Sequence, residues 1–449
     1  MNDRTAIFKS TPIPQAIATL ALPTMFSMLV NIIYNMADTF FVGQTGDEYQ
    51  VAAVSLTLPI FLLFNALGSL FGAGGGAYIS RLLGSGQKDK TKKVSAFSYY
   101  GSIFAGLILL AVLLLFMNPI LNFSGATNNT FNLAKEYLTI IAFGGFSIVV
   151  QTSFAQVVRS EGAAKESMIG MILGSVLNII LDPIMILWLN MGVVGAAWAT
   201  LIGNLVAAIY YTIYCSSKKS ILSVSVKDFA INREIVLNVF SIGIPQAIMN
   251  ILMSISTVAL NFFAAQCMNG DEIIAGFGIA NRVNTIVVML MIGLGQGIQP
   301  LVGYNFSAAN YTRMKQTIRY ASLYSIILGI ILMICFLAIP ETIIRVFIDN
   351  ATVVDYGVKL LNALAVIAPI FGIQYIILNT FQAMGKSIPA FILSVTRQGV
   401  FFMAALFIGF KLFGVTGLIW AQSFADTGCV VLSIILYLVI AKQTLKAVK

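Results

Sequence analysis

The run Gly192-Val193-x-Gly195-x-x-Trp198-Ala199 returns as Gly414-Val415-x-Gly417-x-x-Trp420-Ala421, a shift of 222 residues in a chain of 449. The same shift lays Pro23 on Pro245, Phe40-Phe41 on Phe262-Phe263 and Gln44 on Gln266, so the echo spans each half rather than one loop. The chain is one unit written twice. With 59% hydrophobic and 10% charged residues and a mean hydropathy of +0.92, that unit belongs in lipid.

A helix needs about 20 mostly apolar residues to cross the hydrocarbon core, and lipid-exposed backbone must satisfy its own hydrogen bonds. Six such stretches fit each half: 16–42, 51–80, 94–117, 131–157, 167–188 and 193–214, then 238–263, 274–303, 318–338, 358–384, 389–410 and 415–440. Alternating period-2 segments are absent, which argues against a β-barrel. The expected fold is therefore an all-α integral membrane protein of 12 transmembrane helices. Six spans is an even number, so both halves enter from one side as parallel repeats, an N-lobe and a C-lobe around a central cleft. The expected division is 1–214 for the N-lobe, 215–237 for a cytoplasmic linker and 238–449 for the C-lobe.

Charge placement orients the bundle, because short cytoplasmic loops retain Lys and Arg. With both termini cytoplasmic, most of the 26 basic residues fall inside, among them Arg81, Lys88, Lys90, Lys92 and Lys93, and Lys218, Lys219, Lys227 and Arg233 between the halves. The opposite loops are acidic or neutral, with Asp47 and Glu48, then Asp271 and Glu272. Topology thus accounts for the net charge of +9, and no nucleic-acid partner is expected, since no basic cluster alternates with aromatic residues. The first apolar stretch lacks a convincing cleavage site and is expected to stay as a span. The four cysteines have no pair or metal spacing and are expected to be free thiols. Histidine is absent, which removes His-based proton relays, His-ligated zinc and Ser-His-Asp triads; proton chemistry must fall on carboxylates.

An aspartate at the centre of a span costs roughly 2.5 to 3.5 kcal/mol on insertion scales, so an acid retained there needs a reason. Asp38 ends the series Asn31-x-x-Tyr34-Asn35-x-x-Asp38, whose three- and four-residue steps share one helical face. Asp182 lies one turn after Asn178 and just before Pro183. The 222 shift carries Asp38 to Leu260, Asp182 to Ala404, Asn178 to Val400 and Thr200 to Gln422, so the second half has no matching acids. A scaffold requirement of the repeat would appear twice; the asymmetry favours a specialised site. Two carboxylates with the oxygens of Asn178 and Thr200 suit Na+, while a close acid pair also makes a proton site; both alternatives stay open.

The remaining intramembrane charges, Arg282, Arg397 and Asp426, either pair with one another or face the cleft. The glycines 72 and 74–76 of span two, and Gly293, Gly295 and Gly297 of span eight, read as close-packing surfaces rather than hinges. Part of the complement of 32 Phe and 18 Met can line an adaptable apolar cavity. Pro23 is a candidate hinge in span one, since it removes one intrahelical bond near the polar stripe. No nucleotide-binding motif and no catalytic constellation is present, so neither ATP drive nor an enzyme is expected.

Asp38-Thr39 closing span one, Leu181-Asp182-Pro183 in span five, the paired Gly-Val-x-Gly-x-x-Trp-Ala runs and the stretch Gly295-Gln296-Gly297-x-Gln299-Pro300-x-x-Gly303-Tyr304-Asn305 together resemble the multidrug and toxic compound extrusion (MATE) family, in its prokaryotic DinF-like and MepA-like branches. The resemblance covers essentially the whole chain. It implies a secondary antiporter in the cytoplasmic membrane of a prokaryote, exporting amphipathic, often cationic drug-like molecules against Na+ or H+ by alternating access, as a monomer and without a cofactor beyond the coupling ion. It also implies a role in antibiotic resistance. Asp38, Asn178, Asp182 and Thr200 match the coupling cluster of DinF-like members, with Asn31, Tyr34, Asn35, Gln151 and Gln156 as cavity-lining candidates. On the fourth span Thr152 and Ala155 stand where that branch carries asparagines, so the branch's detailed proton network does not transfer. The in-class alternative is a flippase for lipid-linked oligosaccharide or lipid, which would line its cleft with many cations.

Overall fold

The computed structural model describes residues 5–446, with side-chain surroundings as far as residue 440. Twelve helices are long and apolar enough to cross a membrane, and no strand occurs among the described residues. They are α1 (Ile13–Gly43), α2 (Glu48–Gly84), α3 (Lys88–Phe123), α4 (Phe131–Ser160), α5 (Ala164–Trp188), α6 (Gly192–Ser216), α7 (Arg233–Ala264), α8 (Gly270–Ser307), α9 (Tyr311–Ala338), α10 (Ala351–Ala383), α11 (Ser387–Phe413) and α12 (Val415–Ile440). Several outrun the bilayer requirement, α2 reaching 37 residues and α8 38, because their polar ends project beyond the apolar stretch.

The repeated motif has a structural reason in both halves. Gly192 and Gly414 take φ of 54° and 57°, a left-handed turn that costs glycine little and lets a helix start directly after its predecessor. Gly195 then lies against the Met185 backbone and Gly417 against that of Gly409, so α5 packs on α6 as α11 packs on α12. The Phe pairs carried by the repeat are edge-to-face in both lobes, at 5.4 Å for Phe40–Phe41 and 5.6 Å for Phe262–Phe263.

α1 and α2 of the N-lobe meet α8 and α7 of the C-lobe. Gly74 and Leu70 of α2 touch the backbones of Val239 and Gly243 on α7, while Gly293 and Gly297 of α8 touch Met25 and Ala21 on α1. The glycine stretches of α2 and α8 are packing surfaces in uninterrupted helices, as their composition implied.

The lobes are joined toward one face of the bundle, the face where α1 begins and α2 ends. There Tyr78 donates to Glu234 at 2.7 Å, Lys90 pairs with Glu234 at 2.6 Å, and Arg81 Nη2 donates to Asn238 Oδ1 at 3.0 Å. Arg159 Nη1 reaches Gln296 Oε1 at 2.8 Å. The chain start seals the same face: Phe8 is fully buried and stacks on Tyr304 at 5.1 Å, and its carbonyl accepts from Arg313 Nε at 2.7 Å and Asn305 Nδ2 at 3.2 Å. Asn250 to Ser69, at 3.4 Å near the helix midpoints, is the deepest of these links. Beyond that level no hydrogen bond or ion pair joins the lobes among the described residues.

Candidate functional site

Asn178, Asp182 and Thr200 are buried together where α5 crosses α6. Small residues bring them there: the backbones of Gly174 and Gly203 are in contact, so no side chain holds the two helices apart. The Asn178 amide fits with Nδ2 donating to Asp182 Oδ2 at 3.1 Å and its oxygen accepting from the Thr200 N–H at 3.1 Å. Pro183 then has no N–H for the Ile179 carbonyl, and the chain widens into a π-helical turn over Pro183–Trp188. Asp182 thus sits at the last regular turn, immediately before the helix loosens.

Asp38 comes to this cluster from α1, which packs along α5, and the two carboxylates lie within each other's field. Tyr34 and Tyr137 stand around them, both within reach of Asp38 and Asp182 and both approaching Thr200. Two oxygens, Asp38 Oδ1 and Asp182 Oδ1, are buried without a hydrogen-bond partner. Such an oxygen forgoes the solvation it would have in water, a cost of about 1 to 3 kcal/mol or more for a charged group, which a proton or a bound cation relieves. No group of three or more Asp, Glu or Cys side chains with metal-ligand geometry occurs among the described residues.

The other expected residues separate. Asn35 donates to the Asn31 carbonyl at 2.6 Å and to its Oδ1 at 3.1 Å, and is exposed rather than joined to the carboxylates. The Thr152 hydroxyl lies 3.1 Å from both Gln151 Oε1 and Asn65 Oδ1 of α2 and shares its one proton between them, and Gln156 packs on Gly72. Tyr137 is the participant that sequence reading missed: one tyrosine in a chain with 16 has no distinguishing neighbour along α4.

The C-lobe uses the matching helix pair differently. Arg397, in a π-helical turn of α11 over Thr396–Phe402, donates from Nε to Asp426 Oδ1 on α12 at 2.8 Å, with both side chains buried. Gln422, the counterpart of Thr200, donates to the same oxygen at 2.9 Å, and Arg397 also reaches the Tyr375 hydroxyl at 3.1 Å and lies over the Phe371 ring. Arg397 and Asp426 therefore pair with each other, and Arg282 stays outside the pair. The four cysteines are free.

A MatE family model matches residues 23–184 and 245–419, the bodies of both repeats. The chain belongs to the MatE family. Among MatE relatives, the Multidrug export protein MepA of Staphylococcus aureus (strain MRSA252) is 36% identical over 425 residues, covering 94% of this chain and 93% of its own length. The fold is shared with a crystal structure of MATE in complex with MaL6, at TM-score 0.94 and 24% identity, covering 99% of this chain and 100% of that one. It is shared also with an outward-facing multidrug resistance MATE family transporter of the MOP superfamily, at TM-score 0.93 and 24% identity with 99% of each chain covered. MatE proteins are multi-pass membrane transport proteins, which agrees with the twelve apolar helices here.

Proposed function

We propose that this MatE chain is a secondary multidrug exporter that moves amphipathic, often cationic small molecules out of a prokaryotic cell in exchange for Na+ or H+. The name of the 36% identical relative, a multidrug export protein, supports the export reading. One observation carries the coupling reading: two buried, unpartnered carboxylate oxygens, on Asp38 and Asp182, face one cluster with Asn178 and Thr200. In this reading Asp38 and Asp182 bind the cation or proton, Asn178 and Thr200 supply neutral oxygens and hold the Asp182 carboxylate in place, and no further cofactor takes part.

Residues 1–214 and 238–449 act as two bodies around the cleft, with 215–237 as the cytoplasmic connection and the protein working as a monomer. The basic residues at the joined face support a cytoplasmic position for it. The conformation is then outward-open, and loading the N-lobe site changes how α1 packs on α5 and α6. Pro23 gives α1 a place to bend. One positive charge entering down 100 mV supplies about 2.3 kcal/mol, enough for roughly fifty-fold accumulation of an uncharged compound.

Proteoliposomes holding the purified chain decide the matter, with Na+ and pH gradients imposed separately and a fluorescent cation as cargo. Transport that follows one gradient identifies the ion. Transport that follows neither removes the antiport reading.

A further inference from the structure

Arg282 is the intramembrane charge that the coupling site does not use. It lies 12 residues inside α8, is exposed, and takes part in no hydrogen bond or ion pair among the described residues. Its direction follows from the helix. Gly293 of α8 faces Met25 of α1 and Gly303 faces Ser80 of α2, both in the opposite lobe. At about 100° per residue Arg282 points about 20° from the Gly293 direction, between those two contacts, and about 16 Å nearer the open end. At that level no hydrogen bond joins the lobes among the described residues, and Arg282 is exposed on the side of α8 that lower down packs against α1 and α2.

α1 runs antiparallel to α8, so the same step taken from Met25 arrives at Met36, which is 47% exposed. Arg282 and Met36 thus lie on facing stripes at one level of the cleft. The nearest acid on the α8 stripe, Asp271, is another three turns toward the helix start. Arg397 is already neutralised by Asp426, which leaves the C-lobe wall with an uncompensated cation opposite an apolar, adaptable surface.

We propose that Arg282 is a specificity-determining residue of the transport cleft, pairing with a carboxylate or sulfonate on an amphipathic substrate whose apolar part rests on the Met36 side. This rests on the exporter reading and narrows it: zwitterionic and anionic amphiphiles are handled as well as plain cations. A guanidinium suits the task because its planar fork meets a carboxylate with two parallel hydrogen bonds.

The test uses the full-length chain, in detergent for binding and in phosphatidylcholine vesicles for transport, with one rhodamine dye in two forms. The ethyl ester is a cation; the free carboxylate is a zwitterion. Arg282→Gln weakens binding of the zwitterion by about tenfold or more and leaves the ester within about twofold, with Arg282→Lys in between. An equal shift for both dyes, or none, overturns the assignment while leaving the exporter reading in place. So does an effect that appears only when anionic lipid is added, which would make Arg282 a headgroup anchor. A wild-type chain that binds and moves neither dye overturns the exporter reading, and this one with it.

Discussion

Arg81, at the end of α2 in the N-lobe, donates through Nη1 to the Gln382 carbonyl of α10 at 3.2 Å, with the Ala383 carbonyl at 3.3 Å beside it. The Gln382 carbonyl already accepts from the Gly385 N–H at 3.0 Å in the turn that closes α10, and a cation from the other lobe adds a further bond while meeting the negative end of the helix dipole. The contact ties the two lobes together at this face.

Arg81→Ala is therefore expected to favour the opposite conformation. Hydrogen bonds to a charged donor are worth about 1.5 to 3 kcal/mol each, so losing this set shifts the balance by roughly tenfold or more. Gly243→Val acts on the same face by pushing against the Leu70 carbonyl. Spin labels on the ends of α2 and α10 read the result: longer distances in both variants are expected, and unchanged distances in both would mean that the joined face is held elsewhere.

Asp38→Asn and Asp182→Asn are each expected to leave a folded protein that no longer couples. Without inward movement of one charge, the steady-state drug gradient falls by about fifty-fold per 100 mV. Efflux by the reconstituted variants, beside their thermal unfolding, checks this; normal coupled efflux in both would return the acids to a structural role.

The Arg397–Asp426 pair predicts a different phenotype. Removing one partner of a buried pair costs about 3 to 5 kcal/mol, because the other charge is left unpaired. Asp426→Asn should lower thermal stability and yield, and Arg397→Met with Asp426→Leu should regain part of the loss. Drug-to-cation stoichiometry should stay as in the wild type. If Asp426→Asn loses coupling while Asp182→Asn keeps it, the coupling site lies in the C-lobe.

Pro23→Ala restores one backbone donor in α1. The Ser27 hydroxyl bonds the Pro23 carbonyl at 2.8 Å and Thr24 the Leu20 carbonyl at 2.8 Å, so the helix stays continuous around the proline. The stiffer helix should turn over more slowly with the cation affinity unchanged, since Asp38, Asn178, Asp182 and Thr200 remain. Turnover and cation affinity measured on one preparation separate the two; unchanged turnover removes the hinge.

Much of this molecule is legible in its sequence. Lipid forces each span to satisfy its own backbone as an apolar helix, so the count of twelve is readable from length and hydropathy, and the duplicated Gly-Val-x-Gly run marks the start of α6 and α12. Asp38 and Asp182 stood out because an acid in hydrocarbon is costly and the second repeat lacks both. What only the tertiary structure decided is which distant groups meet: Tyr137 joining the acids from α4, Asp426 pairing with Arg397 rather than Arg282, Asn35 turning to Asn31, and the lobes closing at one face through Arg81 and Glu234. Helix periodicity sets the direction of a side chain about its own axis. It carries no information on how far one helix is slid or rotated against another, and pairing across helices depends on that offset.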